Sequence, residues 1–257
     1  MESPIDLRQT EGYAHYMQRI GWRAERVPDW LYIKKIPLFP WSIAKLQRAK
    51  NVNWKLVEKA IKKYRIIKLI TEDTIAKKTI WVDLNQSEKE LLGAMKPKTR
   101  YNIGLAKRRG VQIKIVSGEK ILGTGLFNLL KQNASRLRIF GMPQKWFEMQ
   151  VKAFKNKCFA TLAYLGDELV VGNFFMTSSD GCFYSHNGST EWGRKLMAPS
   201  LCTWEGMREA KRRKLKVFDF EGIYDGSRWL RRWQGFTRFK QGFGGEEIIF
   251  PLRVRGG

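Results

Sequence analysis

Two stretches near the C-terminal end carry the residue types that chemistry needs. Phe218-Asp219-Phe220-Glu221-Gly222-Ile223 is an apolar, aromatic run with an acid inside it and a glycine after it. That is the pattern of a buried strand ending at a site. Phe236 to Gly245 reads Phe-Thr-Arg-Phe-Lys-Gln-Gly-Phe-Gly-Gly, so the aromatics Phe236, Phe239 and Phe243 alternate with the cations Arg238 and Lys240 and with glycines. This segment is expected to be a loop whose backbone closes around a charged ligand, with Gly242, Gly244 and Gly245 setting its geometry.

The elements that must position these stretches follow from periodicity and punctuation. Asp6 to Ile20 reads as a helix stopped by Gly21, Trp30 to Ile36 alternates like a strand before Pro37 and Pro40, Trp54 to Tyr64 is helical, and Arg65 to Ile70 is strand-like. Thr79 to Leu84 is a strand that runs into a capping box, Ser87-x-x-Glu90. Pro97 opens a second helix to Arg109. Val111 to Val116 is a strand, Gly125 to Leu137 and Trp146 to Lys155 are helices, and Cys158 to Tyr164 pairs with Glu168 to Ser178 through a Gly166-Asp167 turn. Cys182 to Ser185, Val217 to Phe220 and Glu247 to Val254 are strands, with a helix over Met197 to Arg213. Strands meeting helices in this order give an α/β or α+β class.

At 257 residues the chain can form one large domain or two small ones. Apolar content of 43% with ten Trp argues against disorder. Forty-eight Lys and Arg against 24 Asp and Glu leave a net charge of +24. A polyanionic partner is expected: nucleic acid, an anionic membrane surface or a phosphorylated substrate. Mere solubility is the plainer reading of the same charge. Between Leu91 and Gly118 there are seven basic residues and no acidic one, and Arg100 and Lys107 share a helical face. With no local acid to pair with, a phosphate-binding stripe is preferred over a solvated face.

Cys158, Cys182 and Cys202 form no Cys-x-x-Cys pair and no signal peptide is apparent, which favours a reducing cytoplasm. The most apolar stretch, Leu169 to Met176, is too short to span a bilayer, so membrane contact would be peripheral, at the inner face of the plasma membrane. His15 and His186 are the only histidines, which excludes a His-rich metal site and disfavours a triad. There is no Walker A loop, no His-Glu-x-x-His and no Gly-x-Ser-x-Gly. Gly123-Thr124-Gly125 has Asn128 where a dinucleotide fingerprint needs Gly or Ala. The Arg/Gln-x-x-Gly-x-Gly/Ala turn by which small-molecule acetyltransferases cradle pyrophosphate has one match, Gln9 to Ala14, before any strand.

The two C-terminal stretches resemble the FemABX family, the aminoacyl-tRNA-dependent peptidyltransferases of peptidoglycan cross-bridges. That family has an Asp-Phe-x-Gly-Ile strand and a (Tyr/Thr)-Arg-Phe-Lys-x-Gly-Phe-Gly loop. Ile80 to Val111 is similar to it too, through Val-Asp-Leu, Ser-Glu-x-Glu-Leu-Leu, Met-Lys-x-Lys-Thr-Arg-Tyr-Asn-Ile and Ala-x-(Arg/Lys)-x-Gly-Val. The resemblance, over roughly residues 80 to 250, implies a GNAT-like acyltransferase fold in tandem. Residues 1–78 would be a truncated first domain, 79–246 the second, and 247–257 a strand returning to the first. It also implies transfer of an amino acid from aminoacyl-tRNA to the amine of a lipid-linked or UDP-linked peptidoglycan precursor, in cell wall biogenesis and cell shape, by a monomer without metal or bound cofactor. A related N-acyltransferase with another activated donor, and a non-catalytic protein binding nucleic acid or membrane by charge, remain as alternatives.

The resemblance assigns roles residue by residue. Lys240 would stabilise the negative charge that grows on the ester carbonyl and on the departing ribose oxygen, with Phe239 shaping the pocket. By residue type alone Asp219 or Glu221 could orient or deprotonate the amine, with only one of them expected to face a cleft, and structural roles such as loop hydrogen bonding are the preferred reading for both. The family's Tyr-Leu-Tyr-Gly-x-Ser run aligns with Phe183 to Ser189, which places Tyr184 and His186 at the acceptor, His186 standing where the family has its second Tyr. Three further acceptor positions depart from the UDP-binding pattern: Gln18 replaces a Lys, and Met142 and Trp146 replace an Arg and a Tyr. Losing two cations weakens contact with a diphosphate. Aminoacyl-tRNA would dock around Arg100, Lys107, Arg108 and Arg238.

Overall fold

A computed structural model of the chain describes residues 2–71 and 76–250, and of Trp229 the backbone alone. The chain opens with a short 3-10 turn and α1 (Glu11–Arg19), whose N-cap Thr10 accepts from the Tyr13 amide. Four strands follow, β1 (Arg23–Arg26), β2 (Trp30–Lys35), β3 (Ser42–Lys45) and β4 (Ile66–Ile70), with α2 (Trp54–Tyr64) between the last two. They form a sheet in the order β1-β2-β3-β4. Leu31 and Ile33 face α2 in a small core, whereas Tyr32, one residue out of phase, faces α1.

The second sheet has seven strands in the order β11-β5-β10-β9-β8-β7-β6. In chain order its elements are β5 (Lys78–Asp83), α3 (Glu88–Ala94), α4 (Pro97–Arg108), β6 (Gln112–Ser117), α5 (Leu126–Leu137), α6 (Gln144–Phe154), β7 (Cys158–Leu165), β8 (Glu168–Thr177) and β9 (Gly181–Ser189). The short α7 (Glu191–Lys195), α8 (Ala198–Arg212), β10 (Val217–Asp219), α9 (Gln234–Lys240) and β11 (Glu246–Ile249) complete it. One face carries α3, α4 and α8 over a core containing Phe175, Phe218, Phe220 and Met207. The other carries α1, α5 and α6 over Phe147, Phe154, Phe174 and Phe183. Helices on both faces explain why β7 and β8 are nearly continuous apolar runs. The three cysteines are buried and unpaired. Among the described residues no helix is long and apolar enough to cross a membrane.

This is a mixed α/β, GNAT-like fold in tandem, with the first copy reduced to four strands and α2. The Ser87–Glu90 capping box forms as expected, and so do the hairpin at Gly166-Asp167 and Pro97 at the start of α4. Residue 78 is not a packing boundary, because α1 lies on α6, where Gly12 meets the Phe154 ring. Among the described residues the last strand joins the second sheet rather than the first, while Phe250, just past it, meets the Arg48 guanidinium of the first domain. β11 pairs antiparallel with β5, Glu246 opposite Trp81 and Ile249 opposite Lys78, and covers what would otherwise be an unpaired edge. Gly244 and Gly245, at φ +80° and +87°, turn the chain onto that edge. The rest of the expected strand, 251–257, lies outside the described residues.

Candidate active site

The site is built where two parallel strands part. β10 pairs with β9 from Val217↔Gly181 to Asp219↔Phe183 and stops there, while β9 continues to Ser189 against β8. The ladder between β8 and β9 shifts register between Phe174 and Phe175, since Phe174 faces His186 and Phe175 faces Tyr184, leaving Ser185 as an extra residue. This bulge re-aims the side chains that follow it. Tyr184 points into the core with Phe175 and Phe220, whereas His186 points to the opposite face and stacks on Phe174.

Lys240 closes the gap between the strands. Its segment is a helix followed by a 3-10 turn over Gln241–Phe243, not the expected loop. Phe236, Phe239 and Phe243 recur at helical spacing, and together with Lys240 they form the inner face of α9 and its turn. The Lys240 ammonium is buried (6% exposed) and donates to the carbonyl oxygens of Phe220 and Gly222, both at 2.7 Å. The ring centroids of Phe236 and Tyr184 lie 5.3 and 6.0 Å away. Burial pulls its pKa down to about 8, against the opposing pull of the Glu221 and Asp219 carboxylates. Phe239 is partly buried edge-on against Phe243.

Asp219 and Glu221 both act on this point, contrary to the expectation that only one would face it; two residues apart, they would share a face had the strand continued. Asp219 is fully enclosed. It accepts from the Thr79 hydroxyl at 2.5 Å, the Trp81 indole at 2.8 Å and the Glu221 amide at 2.6 Å. Burial, and then the like charge of Glu221, push its carboxyl upward, while the three donors oppose that shift. Glu221 sits at φ +59°, a left-handed conformation unfavourable to a residue with a Cβ and common at functional sites. Its amide is held by Asp219 and its carbonyl by Thr79, and Arg8 donates to its Oε2 at 2.9 Å. Among the described residues its Oε1 is buried without a partner.

The FemAB family model matches residues 73–170 and 166–250, more than half of the chain and all of the site just described except Arg8. The chain belongs to the FemAB family. At family level it is therefore an acyltransferase of the peptidoglycan-bridge type. The crystal structure of FemX superposes with a TM-score of 0.79 at 15% identity, over 95% of this chain and 90% of that one. The C-terminal domain of a putative lysylphosphatidylglycerol synthetase from Agrobacterium fabrum gives 0.64 at 10% identity over 95% and 87%. L-PGS from Bacillus licheniformis gives 0.58 at 11% identity over 93% and 88%. At these identities the likeness is one of fold. No curated protein matches the sequence.

The acceptor positions inferred from FemAB resemblance do not gather around Lys240. Tyr184 alone does, buried, with its hydroxyl donating to Asn173 Oδ1 at 3.2 Å. His186 bonds Gln150 of α6 at 3.0 Å through Nε2 on the far face, and its apolar surroundings push its pKa down to about 4, so the ring is neutral. Met142 packs at the edge of that same core, Trp146 is exposed at the start of α6, and Gln18 is exposed on α1. The sheet thus separates His186 and Met142 from the lysine, and Tyr184 stays on its side.

The basic stripe is also less free than its sequence suggests. Arg100 donates to the carbonyls of Leu92 and Gly93, both at 3.2 Å, and of Met95, and so caps α3. Lys107 pairs at 3.7 Å with Glu205 of α8, an acid about a hundred residues away in sequence. Arg108 lies over the Tyr101 ring, and Arg238 is exposed on α9. An open cavity of about 440 Å³, lined by Arg109, Leu165, Trp192, Lys195 and Leu196, lies at the far end of α4. It is roughly 18 Å along that helix from Lys96, whose amide bonds Gly242.

Proposed function

We propose that the protein transfers an amino acid from aminoacyl-tRNA to the amine of a peptidoglycan precursor stem peptide. The observation that carries this reading is the buried Lys240 ammonium at the parting of β9 and β10. Among the described residues two of its three protons are fixed on the Phe220 and Gly222 carbonyls, and the third remains for a substrate oxygen. In the reaction the precursor nitrogen attacks the ester carbon, a C–N bond forms, the C–O bond to ribose breaks, and the ribose hydroxyl leaves with a proton. Charge grows first on the carbonyl oxygen and then on the ribose oxygen. A cation held among aromatic rings stabilises it more strongly than one in water.

Glu221 fits the role of base better than Asp219, whose oxygens are occupied by Thr79, Trp81 and the Glu221 amide. Its buried, unpartnered Oε1 would receive the precursor's ammonium and take its proton. Asp219 then acts as a positioning residue that holds Glu221 in its strained turn. Arg108, Arg238 and the Arg109–Trp192–Lys195 cavity offer phosphate and stacking contacts to the tRNA.

A coenzyme A donor is less well supported. Gln9 to Ala14, the single match to its pyrophosphate turn, is used in packing: Gln9 bonds the Trp30 amide and the Gln47 carbonyl, and Gly12 faces Phe154.

The test is incubation with labelled aminoacyl-tRNA and a lipid-linked or UDP-linked precursor. Label arriving in the precursor supports transfer. Salt-sensitive tRNA binding with no transfer to either precursor overturns it in favour of a binding protein. Thermal protection by an acyl-CoA, and none by tRNA, replaces the donor.

A further inference from the structure

The turn that joins β2 to β3 exposes five consecutive apolar residues, Pro37-Leu38-Phe39-Pro40-Trp41. Leu38 is fully exposed, Phe39 is 51% and Trp41 44% exposed. The Phe39 and Trp41 rings stack at 5.6 Å with planes 5° apart. The turn is shaped rather than slack: the Ile36 amide bonds the Trp41 carbonyl at 2.9 Å, and two prolines restrict the backbone. Leu38 adopts φ +65°, a conformation unfavourable to a residue with a Cβ, and that cost brings it no burial.

A basic collar surrounds this tip. The exposed Lys35 ends β2, Lys34 before it being bonded to the Ile20 carbonyl at 3.0 Å, and the Ser42 amide bonds the Arg65 carbonyl, which brings the exposed Arg65 and the last turn of α2, with Lys62 and Lys63, alongside. From Trp30 to Val57 there is no acidic residue. A stable protein interface buries about 800 Å² on each side and wants a broad complementary face. This is instead a narrow convex projection, suited to a medium that yields around it. Indole and phenyl rings at headgroup depth, an aliphatic tip beyond them and lysines behind are what an anionic bilayer surface accepts.

We propose that the β2–β3 turn is a membrane-docking wedge that places Leu38, Phe39 and Trp41 in the interface of an anionic bilayer, with Lys35 and Arg65 on its headgroups. This goes beyond the transfer reaction and stands whether or not that reading holds.

The experiment is flotation of the whole protein with vesicles of phosphatidylcholine alone and of phosphatidylcholine with phosphatidylglycerol, comparing wild type, Leu38→Asp and Lys35→Glu. Wild type is expected to float with the anionic vesicles. Leu38→Asp should lower its partitioning roughly tenfold, the loss of one inserted apolar side chain. Lys35→Glu should lower it less, and in a salt-dependent way. Leu38 touches no core, so an unchanged thermal midpoint verifies folding. Absence of vesicle binding by wild type overturns the proposal. Equal binding by Leu38→Asp also overturns it, in favour of charge spread over the surface. A dimer in sedimentation that Leu38→Asp dissolves, without vesicle binding, would make the tip a contact between copies instead.

Discussion

Lys240 donates its side-chain proton to the carbonyl of Phe220, twenty residues earlier, at 2.7 Å, and so ties α9 to the end of the central strand. A lysine held this way is both a structural clamp and a buried charge, and the two roles respond oppositely to pH. Its pKa falls from the ordinary 10.5 to about 8. Between those values the unfolded chain keeps a proton that the folded chain has lost, so this group makes stability rise with pH across the window. A transfer reaction that needs the cation slows as pH passes about 8. Thermal midpoints and transfer rates followed through that range should therefore diverge in wild type, and Lys240→Met should lose the stability rise. A rate that climbs through pH 8 together with stability contradicts the assignment.

The two neighbouring acids should separate by phenotype. Asp219→Ala strands the Trp81 indole and the Glu221 amide, while the Thr79 hydroxyl keeps the Glu221 carbonyl, and is expected to cost roughly 3 kcal/mol in urea unfolding. Glu221→Gln keeps the Arg8 contact through its amide oxygen and should change stability by less than about 1 kcal/mol. Its transfer rate is expected to fall at least tenfold, about 1.4 kcal/mol of barrier. A full rate in Glu221→Gln would remove it as the base.

Gly242 is required by a neighbour rather than by its own dihedrals. A Cβ there would strike Thr99 Oγ1 on α4. Gly242→Ala should destabilise the fold by about 1–3 kcal/mol. Adding Thr99→Ala should recover part of that loss, a coupling a double-mutant cycle reads directly. Strict additivity would show that the clash is relieved by other means.

The cations divide into those that serve the fold and those that face outward. Arg100→Ala removes the cap from α3 and should lower stability by about 1 kcal/mol, with little change in the salt dependence of tRNA binding. Arg238→Ala should leave stability alone and reduce the slope of log affinity against log salt by about one. The reverse pattern would move the tRNA surface away from α9.

Much of this was legible because local chemistry and fold agree. Ser87 and Glu90 cap a helix wherever they occur at that spacing, Gly166-Asp167 folds a hairpin, and an apolar run such as Val217 to Phe220 belongs at the centre of a sheet. The failures are long-range. Arg-Ala-Glu-Arg and Ser-Ile-Ala-Lys become β1 and β3 because β2 pairs with each of them, not by propensity. Flanking glycines disguised the helical spacing of Phe236, Phe239 and Phe243. The extra residue at Ser185, which sends Tyr184 and His186 to opposite faces, left no mark in the sequence, and Glu205 reaches Lys107 only through the packing of α8 on α4.

The account rests on Lys240 carrying positive charge where acyl transfer occurs. Single-turnover transfer from labelled aminoacyl-tRNA to precursor, by wild type and by Lys240→Met, with tRNA affinity measured alongside, tests it most directly. The expected result is a rate at least tenfold lower, about 1.4 kcal/mol, with tRNA affinity unchanged. Equal rates in the two proteins would contradict it.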